Sequence, residues 1–480
     1  MCEVSTLYIE VRLEMHVDIQ ANQRVIDLEE KHDLLRFKVD GWCVWPLFRH
    51  AVGEHFRGLK VMYAKQRMDY WIAPIVRDIL TLFSLKKEKW MFMVYDSNLS
   101  EKRKDVYVDV FFDDLISETD RWFKIELLTN PIFLTARKNA RFKANMTAIS
   151  FVIASKLLSR SHCPSEVDQV AEDIYSILFR YEELRSFSRE RTLRNILDFY
   201  WKKKLYEWFL KRTRPDILFM VTSYCNHAII AAAKSMGVKV IEFQHGLITP
   251  WHSGYSWSKY ANDYRESMPL PDKIFLYGEY WQRNLLINGF WKVEELPVVG
   301  SLRMDYHRRR NTSRPQDVTR LLFTSQGTDI ENVLSFIVCF LQESRRKLSN
   351  IELYVKMHPG ESDKKIYKKQ LGLFPNVKII ASAEEPSTFD ILSVSHLHLS
   401  ISSTCHYEAL ALGVPTIILP FSSHESVLSL TQTGYAYLVR TPEELVQVVA
   451  EAKDLTVPNH VGGAFFAEDA LSNMKRELAL

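Results

Sequence analysis

Several kinds of chemistry are missing from this sequence. Its six cysteines, Cys2, Cys43, Cys163, Cys225, Cys339 and Cys405, include no CxxC pair and no metal-ligand rhythm, which suits reduced thiols inside a cell rather than a disulfide framework. His396 and His398 share one face of a predicted strand, but they and His406 lack a partner carboxylate at the spacing a metal requires, so no metal is expected. There is no Gly-x-Ser-x-Gly elbow and no P-loop, which weakens hydrolase and nucleotide-triphosphatase readings. No window approaches the roughly twenty uninterrupted apolar residues that cross a bilayer. The opening MCEVSTLYIEVRLEMHVDIQ carries charge throughout and reads as neither signal peptide nor membrane span, so a cytoplasmic location is expected. A net charge of +3 gives no reason to expect a nucleic-acid partner.

What is present is a chain of 480 residues, 47% hydrophobic and 25% charged, which suits two large domains of a globular protein. Residues 31 to 210 are rich in aromatics and helical patterns, with WMFMVYD (90 to 96) as their clearest strand. From Pro215 short β-branched runs alternate with amphipathic helices: ILFMVT (217 to 222), KVIEFQ (239 to 244), KIFLYG (273 to 278) and LPVVGS (296 to 301) read as strands, and Gly237 closes the helix after the first. RMDYHRRRNTSRPQD (303 to 317) has the composition of a linker. The alternation then restarts with RLLFTSQ (320 to 326), ELYVKMH (352 to 358), VKIIAS (377 to 382), HLHLSIS (396 to 402) and PTIILP (415 to 420), and the helix between the first two sets Val333, Ile337, Phe340 and Leu341 on one face. The pattern predicts an α/β protein of two Rossmann-like, doubly wound domains facing a cleft: an N-terminal domain over 1–310, a C-terminal domain over 311–455 and a helical tail over 456–480.

Strand C-terminal ends are where such folds bind ligands, and four motifs fall there. In VIEFQHGLITPWH (240 to 252) a buried run stops at a titratable ring, His245, followed by Gly246. In KMHPGE (356 to 361) Lys356 and His358 lie two residues apart, a charge and a directional donor suited to a phosphate, with Pro359 restricting the histidine and Gly360 allowing close approach. SISSTCHYEALALGVPTIIL (400 to 419) puts Ser402, Ser403 and Thr404 where a strand passes into a helix, with Glu408 one turn on. One hydroxyl would serve as a plain N-cap, and three suit an anion. The turns holding Ser325, Gln326 and Gly327, and Gly300 with Ser301, complete the predicted donor-binding set. The basic stretches WKKKLYEWFLKRTR (201 to 214) and LTARKNARFKAN (134 to 145) leave two readings open, of which the first stretch fits either an anionic bilayer surface or a solvated helix with an aromatic core stripe.

Taken in order, QHG, VVGSLRMD, SQG, KMHPGE and SSTCHYEALALGVPTII resemble the C-terminal two thirds of GT-B fold glycosyltransferases of bacterial surface and capsular polysaccharide synthesis, the sialyl- and Kdo-transferases and the CDP-glycerol glycerophosphotransferases. FKVDGWCVWPLFR (37 to 49) is similar to an N-terminal motif of surface-carbohydrate proteins. The resemblance implies that His358, Ser402 and Ser403 hold the donor phosphate and that His245 takes part in catalysis. The acidic pair of the sialyltransferases is absent here, which leaves Glu242 and Asp40 as alternative bases.

The expected activity is therefore metal-independent and cofactor-free transfer of a sugar, including acidic sugars such as Kdo or sialic acid, from a CMP- or CDP-linked donor, or a UDP-linked one, to a growing glycan or lipid-linked acceptor. Peripheral contact with the inner face of the plasma membrane accompanies that reading. A CDP-alditol phosphotransferase, a nucleotide-sugar 2-epimerase and a glycan- or nucleotide-binding scaffold without catalysis are the alternatives.

Overall fold

A computed structural model describes residues 19–58, 72–129, 133–310, 312–348, 350–358, 361, 364–382 and 384–479. Residues 1–18, on which the signal-peptide reading rests, and Pro359 and Gly360 of the His-Pro motif lie outside the described residues.

Strands β1 (Trp90–Tyr95), β2 (Trp122–Leu127), β3 (Met146–Thr147), β4 (Ile217–Val221), β5 (Lys239–Phe243) and β6 (Lys273–Phe275) form one parallel sheet in the order β3-β2-β1-β4-β5-β6. Strands β7 (Thr319–Thr324), β8 (Ile351–Lys356), β9 (Val377–Ile380), β10 (Leu397–Ser400), β11 (Thr416–Ile418) and β12 (Ala436–Leu438) form the other, in the order β9-β8-β7-β10-β11-β12. Each has the 3-2-1-4-5-6 order of a Rossmann fold, so each has a crevice where the winding reverses, beyond β1 and β4 in the first half and beyond β7 and β10 in the second. The central strands are apolar at almost every position because helices cover both faces: Met91 and Phe92 of β1 and Leu218 and Phe219 of β4 are all fully buried. Ala231, Ala232 and Ala233 let the helix His227–Ser235 lie close against the core, and Gly237, at φ 70°, ends it.

The segment FKVDGWCVWPLFR becomes a hairpin, Lys38–Val39 against Trp42–Cys43, turned by Asp40 and Gly41 at φ 52° and 80°. Asp-Gly is the pair such a turn requires, and Pro46 then opens the helix Pro46–Phe56.

Two expectations change. The linker predicted from residue 303 begins as a helix, Leu302–Arg308, capped by Ser301 accepting from the Met304 amide at 3.3 Å, because Leu302, Met304 and His307 are buried between elements. The strand predicted over 296 to 301 shrinks to a single bridge between Leu276 and Val298, since Gly300 at φ 91° and the Ser301 cap turn the chain away from the sheet. The last residues return to the first half. The amide of Ala467 donates to the Tyr277 carbonyl at 2.7 Å, that of Ala470 to Asp305 at 2.6 Å, and the helix Ala470–Glu477 adds Ala470 and Met474 to the core around Phe275 and Val299.

The basic stretch 201 to 214 belongs to the helix Arg189–Thr213. Lys203 pairs with Asp40 and Glu207 at 2.5 and 2.6 Å, Lys202 with Asp198 at 2.6 Å, and Tyr206, Phe209 and Leu210 are core. The aromatic stripe is largely packing, and Lys202, Lys203 and Lys204 are paired within the fold, which favours the reading of this stretch as a packed helix. No helix among the described residues is long and apolar enough to cross a membrane.

Candidate active site

At the crevice of the second sheet, the turn after β7 and the turn after β10 are joined by one side chain. The Gln326 amide oxygen accepts from both the backbone N–H of Ser402, at 2.8 Å, and its hydroxyl, at 3.0 Å. Ser403 Oγ accepts from the Cys405 amide at 3.2 Å, while Thr404 makes no side-chain cap for the helix Cys405–Ala411. The third turn, after β8, is tied in by Glu361. Its carboxylate accepts from the His358 amide at 2.9 Å, from Tyr367 at 2.6 Å and from the Ser325 hydroxyl, and the His358 amide also donates to Ser325 Oγ at 3.1 Å. A Cβ on Gly327, at φ 71°, would stand 3.2 Å from the Glu361 side chain, so glycine lets the first turn close on the third. Ser325, Gln326, Gly327, His358, Ser402, Ser403 and Thr404 thus form one connected cradle. Glu361 closes the quoted motif KMHPGE, and its position there was the signal that could have marked it.

Other predicted donor residues sit elsewhere. The Lys356 ammonium is buried and donates to the carbonyls of Glu384 and Pro386 at 2.5 and 3.0 Å, and burial draws its pKa down to about 8 against the pull of Glu385 and Glu384. The strand ends at Lys356, so the two-residue repeat that would align it with His358 no longer holds. Gly300 meets protein rather than nucleotide: a Cβ there would come within 2.4 Å of the Ala467 carbonyl oxygen in the returning tail. Burial raises the pKa of Glu408, opposed chiefly by Arg303, and its carboxyl also meets the Cys405 thiol. His398 and His406 are core rings bonded to Thr416 at 2.8 and 2.6 Å.

Across the cleft, Gln244 clamps the QHG turn, its amide oxygen accepting from the Tyr277 N–H and its amide nitrogen donating to the Gly246 carbonyl, both at 2.9 Å. This fixes His245 beyond β5. Its ring leans on Tyr224 at 6.2 Å between centroids, and its Nδ1 is buried with no hydrogen-bond partner among the described residues. Burial without a counter-charge lowers its pKa to about 4, so the imidazole is neutral at pH 7. The next residue looks directly at the cradle: a Cβ on Gly246 would lie 3.8 Å from Thr404 Oγ1. The alternative bases are not presented there. Glu242 is wholly buried, accepting from the Ser223 amide at 2.9 Å and Tyr255 at 2.6 Å, with its pKa raised by burial. Asp40 is held by Lys203 and Lys204 on the long helix Arg189–Thr213.

Beside His245 the structure gathers residues to which the sequence reading gave no role. The rings of His50 and His252 stack at 5.6 Å and 5° from parallel, and Tyr224 touches both, at 4.8 and 5.3 Å. His50, Tyr224, His227, Glu54, Asn226 and Asp198 line part of a cavity of about 630 Å³ over the first sheet's crevice. His252 ends the very stretch that pointed to His245, but His50 is some 200 positions away, a pairing that sequence distance conceals.

These rings give the fold an acid limit. Burial holds His227 near 3, His245 and His406 near 4, and His252 and His398 well below 6.5. Between pH 6.5 and 4 the unfolded chain binds protons there that the folded chain does not, so stability falls as pH falls through that window and is retained above it. Thermal melts are expected to drop steeply from pH 6.5 to pH 4; a flat profile would mean that the rings accept protons inside the fold.

No family model matches the sequence. The chain is similar to the UDP-N-acetylglucosamine–N-acetylmuramyl-(pentapeptide) pyrophosphoryl-undecaprenol N-acetylglucosamine transferase of Thermotoga neapolitana, 24% identical over 332 residues that cover 68% of this chain and 87% of the relative. It is also similar to the protein of the same name from Thermotoga maritima, 23% identical over 256 residues, 52% of this chain and 66% of that one. Among solved structures, the UDP-GlcNAc 2-epimerase of Methanocaldococcus jannaschii superposes with a TM-score of 0.50 at 16% identity, covering 82% of this chain and 99% of the epimerase. The fold likeness is thus to a nucleotide-sugar epimerase and the sequence likeness to an N-acetylglucosamine transferase.

Proposed function

We propose that the chain transfers a sugar from a nucleotide-linked donor, first a UDP-linked N-acetylhexosamine, to a hydroxyl of a lipid-linked or glycan acceptor. The observation that carries this reading is the approach of the QHG turn to the Ser402–Thr404 cradle, at Gly246 and Thr404, which sets a neutral imidazole on one wall of the cleft and clustered hydroxyls on the other. The names of the sequence relative and of the fold neighbour support a UDP-linked donor. The His-Pro and serine motifs keep CMP- and CDP-linked donors, with acidic sugars among them, as a second reading.

In the reaction the acceptor oxygen attacks the anomeric carbon, the bond from that carbon to the phosphate oxygen breaks, and the nucleotide leaves with the electron pair. Hydroxyl donors at Ser403 and Thr404, with that of Ser402 turned from Gln326 to the ligand, stabilise together with His358 the charge that grows on the leaving phosphate. His245 takes the acceptor proton, and a bound phosphate nearby raises the affinity of its ring for that proton. The cavity lined by His50 and by Tyr224, the ring on which His245 leans, offers room for an acceptor on that side of the cleft. That room favours transfer over epimerisation, which has no second substrate.

Calorimetry with UDP, CDP and CMP tests the cradle and ranks the donors. Ser402→Ala and His358→Ala are each expected to weaken binding of the preferred nucleotide about tenfold, the value of a hydrogen bond to a charged group. Unchanged affinity in both removes the phosphate assignment. Incubating donor with and without acceptor separates the activities: an isomerised sugar formed without acceptor would mean an epimerase. Turnover is expected to persist in EDTA.

A further inference from the structure

Two helices wall the cavity of about 630 Å³ over the first sheet's crevice, and their polar contributions to it fall at helical spacing. The helix Arg189–Thr213 supplies Asn195, Asp198 and Lys202, three and four residues apart and so on one face. The helix Pro46–Phe56 supplies His50 and Glu54, again four apart. The turn after β4 adds Tyr224 and Asn226, and Leu127 and Phe199 belong to an apolar remainder. The helix His227–Ser235 also starts at this wall, and the N–H groups of a first helical turn suit a hydroxyl oxygen as well as an anion.

The charges of this lining are already engaged. Among the described residues that line the cavity Lys202 is the one cation besides the histidines, and its ammonium pairs with Asp198 at 2.6 Å. Glu54 pairs with Arg57 at 2.9 Å. Burial holds the His227 ring near a pKa of 3 and lowers that of His50, so both are neutral at pH 7. Hydrogen-bonding capacity, by contrast, is left over. The Asn195 amide bonds to no other described residue. The Asn226 amide nitrogen donates to the Thr222 carbonyl at 2.9 Å and the Tyr95 hydroxyl at 3.1 Å, which leaves its oxygen. Each carboxylate keeps lone pairs beyond the bonds it makes. The Tyr224 ring, 4.8 Å from that of His50, sets a flat apolar face beside these groups.

We infer that the cavity takes the terminal sugar of a neutral glycan and rejects an acceptor that carries a phosphate next to the accepting hydroxyl. Calling that sugar the acceptor rests on the transferase reading, whereas its fit to the lining does not. Neighbouring hydroxyls of a sugar ring donate to the free oxygens of Glu54, Asp198 and Asn226 and accept from Asn195, while the apolar face of the ring lies on Tyr224. A phosphate in the same place would meet two carboxylates and a lysine already committed to one of them, and would lose its water without gaining a counter-charge. Asp198 sets this selectivity twice over: it accepts from the sugar and, by holding Lys202, denies that cation to a phosphate.

Saturation-transfer NMR titrations of the full chain with the methyl glycosides of glucose, galactose and N-acetylglucosamine, and with the 1-phosphates of the same sugars, test this. They involve neither donor nor turnover, so their failure and the failure of the transferase reading are separate results. At least one glycoside is expected to bind saturably, and the corresponding 1-phosphate at least about tenfold more weakly. Asn195→Ala should weaken the glycoside about fivefold, the value of a neutral hydrogen bond, and should leave the melting temperature unchanged because the side chain holds nothing else in place. Asp198→Asn should weaken the glycoside and, by freeing Lys202, tighten the 1-phosphate about fivefold. A merely structural role for Asp198 would weaken both ligands alike. The proposal is overturned if no glycoside binds saturably, if the parent chain binds a 1-phosphate as tightly as the glycoside, or if Asn195→Ala and Asp198→Asn bind both ligands as the parent does. Should Asp198→Asn melt early, Asn195→Ala decides the matter alone.

Discussion

Replacing His245 by alanine is expected to lower kcat by about 10²- to 10⁴-fold, the range of general-base assistance, while affinity for the donor nucleotide stays within roughly twofold. The split follows from the geometry. The nucleotide is proposed to rest on Ser402, Thr404 and His358, tied together by Gln326 and Glu361, and none of these depends on His245 for a hydrogen bond. The imidazole has no partner at Nδ1 among the described residues, so its loss orphans none of their groups, and the melting temperature should move little. The pH profile supplies an independent reading. Because burial keeps the ring neutral down to about pH 4, kcat/KM in the free enzyme should show no acid limb at the ordinary histidine value, and activity should fail only where the fold itself does. A variant that melts much earlier yet keeps its specific activity would make the QHG edge architecture. The base would then be sought at His252 or His50, since Glu242 is sealed by Tyr255 and Ser223 and Asp40 is held by two lysines.

Arg49→Met is expected to cost about 3–5 kcal/mol, the usual consequence of removing one partner from a buried ion pair. Arg49 and Glu29 are both fully buried, joined at 2.5 Å, and Trp45 donates to the same carboxylate at 2.6 Å. The remaining guanidinium nitrogens donate to the carbonyls of Ser256, at 2.7 Å, and Ser253, and the group lies 4.0 Å from the centre of the Trp257 ring. Through these bonds the helix Pro46–Phe56 grips the loop that carries His252, and Gly53 leaves room for the grip, since a Cβ there would fall 2.7 Å from Ser253 Oγ. Methionine would leave a carboxylate in the core without its charge partner and two carbonyls without donors. The first thermal transition should fall by on the order of 10 °C. Arg49→Lys should recover little, because an ammonium cannot reach three acceptors in one plane. A shift of a degree or two in Arg49→Met would show that water can enter and replace the guanidinium.

What the sequence determined by itself was the local grammar. Runs such as ILFMV are apolar at successive positions because parallel strands are covered on both faces, so most of the strands from residue 217 onward could be located in the sequence, though not all of their ends. The ligand motifs were legible for the same reason: His245, His358, Ser325 and Ser402 each follow a strand end, and in such folds strand ends face the crevice. Tertiary structure decided whatever depended on distant partners. Residues 90 to 147 supply half of the first sheet, but β1 pairs with β4 across more than a hundred residues, and no local period announces that pairing. Lys356, Gly300 and Glu242 looked available, yet their places were taken by the carbonyls of Glu384 and Pro386, by the returning tail at Ala467, and by Tyr255. The helix Ile72–Phe83 makes the same point. Its spacing defines an apolar stripe, but spacing fixes only the angles among side chains, not the rotation of the helix about its axis. Thr147 and Ser150, some seventy residues onward, bind Asp78 inward and so turn the stripe out to the surface.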